Sequence, residues 1–163
     1  MKFIAQATFL ALSVIATAAS AQAVRVEKNM SLDLANQIAA ATVASCSASG
    51  YNVTAAVVDR AGSLRALQRA DNAGPHTVGA AQGKAYTSAS ARNTTAAMLE
   101  NVQKNPGAAT LVDIPGFLVL GGGVPVKVGN EVIGAVGVGG APGGHLDEQC
   151  ANAGSAKVAE LLK

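Results

Sequence analysis

The chain has 163 residues, of which 50% are hydrophobic and 13% are charged, and its formal net charge at neutral pH is +2. So small and scattered a charge excludes the electrostatic footprint of a nucleic-acid-binding protein or of a protein that adheres to acidic membranes. Aromatic residues make up 3% and tryptophan is absent, so the core has to be built from Ala, Val, Leu and Ile.

The N-terminus carries the pattern of a secretory signal peptide. Lys2 precedes an apolar run from Phe3 to about Ala19, which ends in Ala19-Ser20-Ala21, a site that signal peptidase accepts. An uncleaved anchor is the alternative, but the run is shorter than the roughly 20 residues of a spanning helix. We therefore predict a signal peptide at residues 1–21 and one mature domain at residues 22–163, periplasmic or secreted, with no membrane span.

Beyond the signal, the pattern predicts a helix and then a hairpin. Ser31 is a typical helix N-cap, and small and apolar residues recur at helical spacing from there to about Ser49, where Gly50 ends the pattern. Residues 53–58 are β-branched or small on both faces, which predicts a strand covered on both sides. After a turn, residues 63–69 are expected to return as its antiparallel partner.

The middle of the chain is predicted to be helical. Residues 77–91 are rich in alanine, and residues 94–103 continue with a second helical pattern. Asn105-Pro106-Gly107 then breaks the second helix.

Three short strands and a helix complete the prediction. Strands are expected at residues 117–120, 124–128 and 131–138, with a tight turn at Gly129-Asn130. A glycine-rich loop leads into a last helix from about Asp147. Because strands joined by tight turns pair antiparallel, and helices precede, separate and follow them, we predict an α/β (α+β) fold. Its architecture is an α/β/α sandwich with a five-stranded, mainly antiparallel sheet.

Two cysteines remain after signal cleavage, Cys46 near the end of the first helix and Cys150 near the start of the last. Each falls on the inward stripe of its helix, so the thiols meet if these helices pack antiparallel. An even cysteine count in an oxidising compartment favours a disulfide, and two buried free thiols are the alternative. Without a Cys-x-x-Cys motif, covalent haem attachment and a zinc site are not expected.

A series of short motifs follows along the mature chain in a distinctive order. They are Val57-Val58-Asp59-Arg60-Ala61-Gly62, Ala73-Gly74-Pro75, Gly83-Lys84-Ala85-Tyr86-Thr87, Asp113-Ile114-Pro115-Gly116, Gly121-Gly122-Gly123-Val124-Pro125-Val126, Ile133-Gly134-Ala135-Val136-Gly137-Val138 and Asp147-Glu148-Gln149-Cys150-Ala151. Together they resemble the GlcG/HbpS-like family, in which a Lys-Ala-x-Thr core is typical. The resemblance implies a profilin-like fold, homo-oligomers, and binding of haem or a related tetrapyrrole, in some relatives with haem breakdown or redox sensing.

Haem requires an apolar slot, polar partners for two propionates, and a ligand or an open position on iron. On the predicted helix, Lys84 and Thr87 share a face, and Tyr86, which lies nearby, is a further candidate to contact the haem. Lys84 is a candidate propionate partner, and a solvated surface charge is its alternative. Thr87 matches the threonine of the family motif and is a candidate iron ligand, unless it only bonds back to the preceding turn. Haem b held without covalent attachment is the expected cofactor.

Histidine is the better iron ligand on chemical grounds. His76 is predicted to lie in the loop just before this helix and is the main candidate for iron, with an exposed loop histidine as the alternative. His145 precedes the last predicted helix and is a weaker candidate.

The glycine-rich loop before the last helix invites comparison with phosphate-binding loops, but it lacks the defining motifs of those loops. Gly139 and Gly140 are candidates to hold a haem propionate on their amides, and a close-packed turn is the alternative. Asp147 and Glu148 are best explained as acids that complement a helix start, and a weak surface iron site is the alternative.

The signal-like N-terminus and the family resemblance together imply an extracytoplasmic haem-binding protein that carries, buffers or senses haem. An enzyme that degrades haem or acts on a small metabolite is one alternative, and a structural subunit of an oligomer is another. No nucleophile–base pair can be assembled without choosing freely among many serines, so an enzyme is the less favoured assignment.

Overall fold

A computed structural model describes residues 24–163 of the chain, and the predicted signal peptide at residues 1–21 lies outside this range. The helices and strands follow one another as α1 (Leu32–Ala48), β1 (Thr54–Asp59), β2 (Leu64–Arg69), α2 (His76–Ala91), α3 (Thr95–Lys104), β3 (Gly123–Val128), β4 (Glu131–Gly139) and α4 (Gly144–Lys157). A 3-10 helix at Pro106–Asp113 follows α3, and a shorter one at Ala159–Leu161 closes the chain.

The sheet is antiparallel throughout, with the strand order β2-β1-β4-β3. It has four strands in the described part of the chain, so the prediction of five was wrong. The segment 117–120, predicted to be a strand, is irregular because threonine side chains replace the ladder bonds. The Leu118 amide donates to the Thr87 hydroxyl at 2.7 Å, and the Leu120 carbonyl accepts from the Thr95 hydroxyl at 2.7 Å.

Helices cover both faces of the sheet, as predicted. On one face α1 and α4 pack together over a core that includes Ile38, Val57 and Val136. On the other face α2 lies on the sheet through a row of alanines, Ala81, Ala85 and Ala89. The small side chains of this alanine row bring α2 very close to the strands.

Glycine makes this close approach feasible. A methyl group at Gly137 on β4 would overlap the carbonyl oxygen of Ala81 and the amide nitrogen of Ala85 on α2. The predicted sandwich therefore depends on small residues in both layers, helix and strand.

The cysteines form the predicted disulfide between α1 and α4. Cys46 and Cys150 are bonded, with their Cα atoms 5.3 Å apart. The alternative of two free thiols is therefore wrong.

Several predicted boundaries shift by a few residues. Ser31 caps α1 as predicted, and its hydroxyl accepts the Leu34 amide at 3.2 Å. However, α2 begins at His76 because the fixed φ of Pro75 suits a helix start, so His76 lies in the first turn and not in the preceding loop. Helix α4 begins at Gly144 and not near Asp147, since the Gly143 carbonyl already accepts the Asp147 amide.

Among residues 24–163, no helix has the length and hydropathy needed to cross a bilayer.

Candidate functional site

The structure places Lys84 in a buried ion pair. Its ammonium lies 2.7 Å from a carboxylate oxygen of Asp147 and also donates to the Val138 carbonyl at 2.8 Å. The two side chains are 2% and 4% exposed. Lys84 is therefore not a solvated surface charge, and its role as a propionate partner does not fit a group already committed to two internal acceptors.

Asp147 has a larger role than the helix start that the sequence predicts for it. Its carboxylate accepts both the Lys84 ammonium and the Ala141 amide, the latter at 3.0 Å. Burial raises the pKa of Asp147, and the hydrogen bond and charge of Lys84 act in the opposite direction. The pair ties α2, β4 and α4 together.

Thr87 is also turned inward. Its hydroxyl donates to the Gly83 carbonyl one turn back at 2.7 Å and accepts the Leu118 amide at 2.7 Å. The side chain is fully buried, so direct ligation of iron by Thr87 does not fit this position. Its local bond is that of an ordinary helix threonine, and its second bond fixes Leu118 at the wall of a groove.

That groove lies between α2, the β1–β2 hairpin and residues 116–118, and has a volume of about 550 Å³. We call it the Tyr86 groove, and its walls combine apolar side chains with glycines: Val58, Gly62, Leu64, Gly79, Gln82, Gly83, Tyr86, Gly116, Phe117 and Leu118. The volume lies in the range of small-molecule sites, and such sites are mostly apolar with a few polar groups.

The tyrosine ring at the rim of this groove is clamped between two glycines. A Cβ at Gly62 would lie 2.7 Å from Cδ2 of Tyr86, and a Cβ at Gly116 would lie 3.2 Å from its Cε1. Both glycines have positive φ, 80° and 84°, which other residues adopt only at a cost. The Phe117 ring meets Tyr86 edge-on, with centroids 6.1 Å apart. Tyr86 remains 37% exposed, so part of this closely packed ring is accessible from the groove.

His76, Gly139 and Gly140 lie elsewhere, at the N-terminal end of α2. Together with Lys84 and Asp147 they border a cavity of about 300 Å³ beside the glycine-rich loop. The structure thus brings four of the candidate residues, His76, Lys84, Gly139 and Gly140, to one place, and separates them from Tyr86 and Thr87.

His145 lies in the first turn of α4 and borders a third opening of about 560 Å³ between α3 and α4. Glu148 borders the same opening, where burial raises its pKa and one of its carboxylate oxygens has no hydrogen-bond partner. Within residues 24–163, no group of three or more His, Cys, Asp or Glu side chains is placed to hold a metal ion, so a protein-only iron site at Asp147 and Glu148 lacks a third ligand there.

The fold and the groove define a class of protein: a small α/β/α sandwich, crosslinked by one disulfide, that presents a clamped aromatic residue at an apolar groove. A family model described as "Haem degrading protein HbpS-like" matches residues 30–156, and the chain belongs to this HbpS-like family.

Individual relatives agree with this assignment. GlcG of Escherichia coli K12 is 38% identical over 109 residues, which make up 67% of this chain and 80% of that protein. A double mutant of Streptomyces reticuli HbpS superposes with a TM-score of 0.79 at 36% identity, covering 90% of this chain and 98% of the other. A structure described as a PduOC:heme complex has the same fold, with a TM-score of 0.66 at 22% identity, and covers 74% of this chain and 88% of the other.

Proposed function

We propose that this protein binds haem, or a related tetrapyrrole, in the Tyr86 groove and carries, buffers or senses it outside the cytoplasm. The observation that carries the proposal is the phenol of Tyr86, packed between Gly62 and Gly116 at the rim of an apolar groove. Membership of the HbpS-like family and the haem named for the PduOC neighbour support haem as the ligand class.

The groove suits the chemistry of a flat macrocycle. Leu64, Phe117 and Leu118 offer apolar contacts to a ring, while Gly79 and Gly83 leave the surface of α2 without side chains there. Tyrosine is an established axial ligand of ferric haem, and haem supplies a redox-active iron when it is bound.

Attachment is expected to be non-covalent, as for haem b, because both cysteines are used in the disulfide.

The cavity beside the glycine-rich loop is the alternative haem site. It holds His76, the better ligand in isolation, and the backbone of Gly139 and Gly140. It is only about half as large as the Tyr86 groove, and its cation Lys84 is already neutralised by Asp147. We therefore place the haem at Tyr86 and treat His76 as the residue to test against it.

Titration of the purified mature protein with haemin, followed at the Soret band, tests the proposal. Wild-type protein is expected to give a shifted band that saturates near one equivalent. Tyr86→Phe keeps the clamped ring and is expected to change the ferric spectrum, while Tyr86→Ala weakens binding as well. His76→Ala and the control Tyr51→Phe, a tyrosine outside the groove, are expected to match the wild type. A spectral change confined to His76→Ala would move the site to the glycine-rich loop.

The extracytoplasmic location is a proposal supported by the signal-like N-terminus and by the disulfide, which is typical of oxidising compartments. Mass measurement of the protein recovered from a periplasmic extract is expected to show a chain that starts near residue 22 with the Cys46–Cys150 bond formed. A full-length chain in the cytoplasmic fraction would contradict it.

Haem degradation is a second candidate, because the matching family is described as haem degrading. In that case the haem spectrum of the loaded protein would disappear on addition of ascorbate faster than that of free haemin, with catalase present. A haem spectrum that persists under these conditions would argue against degradation and favour carriage, buffering or sensing of haem.

A further inference from the structure

A basic cavity of about 660 Å³ lies apart from all the openings described above. It is formed by the arm that precedes α1, the β1–β2 turn, the end of α2 and the β3–β4 hairpin. We call it the basic cleft. Five of its lining residues are cationic and one is acidic. The full lining is Arg25, Lys28, Arg60, Arg92, Lys127, Val128, Gly129, Asn130, Glu131 and Val132.

Part of this positive charge is balanced inside the protein. Arg60 lies 3.2 Å from a carboxylate oxygen of Glu27 and also pairs with Glu131, and Arg25 lies 2.6 Å from Glu27. These ion pairs connect the segment before α1, the β1–β2 turn and the β3–β4 hairpin at the walls of the cleft.

The other three cations have no ion-pair partner in the described part of the chain. Lys28, Arg92 and Lys127 come from three different segments and converge on the cleft without a carboxylate of their own. The sequence predicts a small and scattered charge, whereas the fold gathers these cations at one place. In a chain whose formal net charge is only +2, this local excess is a concentrated source of positive potential.

The arm that carries Lys28 is anchored. The Asn29 side-chain oxygen accepts the Arg60 amide at 3.0 Å, and the Met30 amide donates to the Ile133 carbonyl at 3.1 Å. Lys28 therefore starts from a fixed point of the backbone, so less freedom is lost when it contacts a ligand.

The backbone at Arg92 provides an independent observation. Arg92 ends α2 in the left-handed conformation, with φ 53° and ψ 31°, and it is the one residue other than glycine with positive φ in residues 24–163. Glycine or asparagine adopts this conformation at lower cost. This conformation, which costs arginine more than glycine, places an arginine and not a glycine at the wall of the cavity.

We infer that the basic cleft binds a small, multiply charged oxyanion of the phosphoryl class. Phosphoryl oxygens carry several charges within a small volume, and the guanidinium fork of Arg92 matches two of them. Lys28 and Lys127 supply charge from the remaining sides. The site is distinct from the Tyr86 groove and has no lining residue in common with it.

Calorimetric titration with pyrophosphate at low ionic strength, where screening is weak, tests this inference. Wild-type protein is expected to bind, and Arg92→Gly and Lys127→Gln are each expected to weaken binding about tenfold through loss of a charged contact. Arg65→Gln and Lys157→Gln remove exposed cations outside the cleft and are expected to bind as the wild type does. Because Arg92→Gly relieves the strained backbone, its melting temperature is expected to equal or exceed that of the wild type.

Co-sedimentation with phosphatidylglycerol vesicles forms a second arm, since the same phosphoryl chemistry occurs in lipid headgroups. Binding to pyrophosphate or to vesicles that depends on Arg92 and Lys127 supports the inference and identifies the source. Binding to neither probe, or equal weakening by the two control variants, would overturn it.

Discussion

The stability of the fold is expected to depend strongly on the buried ion pair between Lys84 and Asp147. Replacement of Lys84 by Met would leave the Asp147 carboxylate buried without its counter-ion, which typically costs about 3–5 kcal/mol. We expect urea denaturation of Lys84→Met to show a loss of this size. The exposed Lys157→Met on α4 serves as control and should change stability by less than about 0.5 kcal/mol. If both variants unfold at the same urea concentration, the pair does not hold the helices together.

Glu148 gives stability a dependence on pH. Burial raises its pKa above the ordinary 4.5, so the folded protein holds this proton more tightly than the unfolded chain. The resulting stabilisation is complete below the unfolded pKa and is lost as pH rises through the folded pKa. We therefore expect Glu148→Gln to match the wild type near pH 4 and to exceed it near pH 8, as measured by urea denaturation. A difference that does not depend on pH would argue against this, and the exposed Asp113→Asn is the control.

For single residues, the sequence predicts a role that depends on neighbours in the chain better than a role that depends on residues far away in the chain. The N-cap role of Ser31 follows from its own neighbours and is confirmed. The partner of Lys84 lies 63 residues away on another helix, and no periodicity connects the two. The clamp around Tyr86 is equally invisible, because Gly62 and Gly116 come from two separate turns.

At the scale of elements, α2 and β4 meet through backbone. We expect Gly137→Ala to push α2 away from the sheet and to lower the free energy of unfolding by about 1–3 kcal/mol. The matched control is Gly79→Ala on α2, whose added Cβ meets nothing within 4 Å and should stabilise the helix by about 0.5–1 kcal/mol. If both variants are less stable than the wild type, or both are more stable, the result would contradict this packing.

The disulfide joins α1 to α4 across 104 residues of chain. A crosslink over so long a loop restricts the unfolded state strongly, and we expect the Cys46→Ser/Cys150→Ser double variant to lose about 2–5 kcal/mol. Denaturation with and without a reducing agent provides the internal control, since only the wild type should respond. A wild type insensitive to reduction would show that helix packing alone determines stability.

Element order was largely predictable because each helix and most strands have a clear period of their own. The cysteine pairing followed from the same periodicity, since both residues lie on inward stripes. The strand predicted at residues 117–120 was wrong because it rested on an apolar run alone. Such a run does not show whether a neighbouring strand or side chains form the hydrogen bonds of its backbone. Here the hydroxyls of Thr87 and Thr95 do so, which requires tertiary contacts that a local pattern does not contain.

For the whole molecule, a core of small residues has a direct consequence for function. Thin layers leave no room for a large ligand between helix and sheet, and the face of α2 that carries Thr87 is buried. The ligand site is therefore expected at the flank of α2 beside the β1–β2 hairpin, where glycines on the helix and in two turns surround Tyr86.

A haemin titration of two space-filling variants tests this account most directly. Gly79→Leu places a side chain in the Tyr86 groove at a position where a Cβ meets no other atom, and Ala96→Leu fills the opening between α3 and α4. The account predicts that Gly79→Leu remains folded and loses the shifted Soret band, while Ala96→Leu binds haemin as the wild type does. Retained binding in Gly79→Leu together with loss in Ala96→Leu would contradict it.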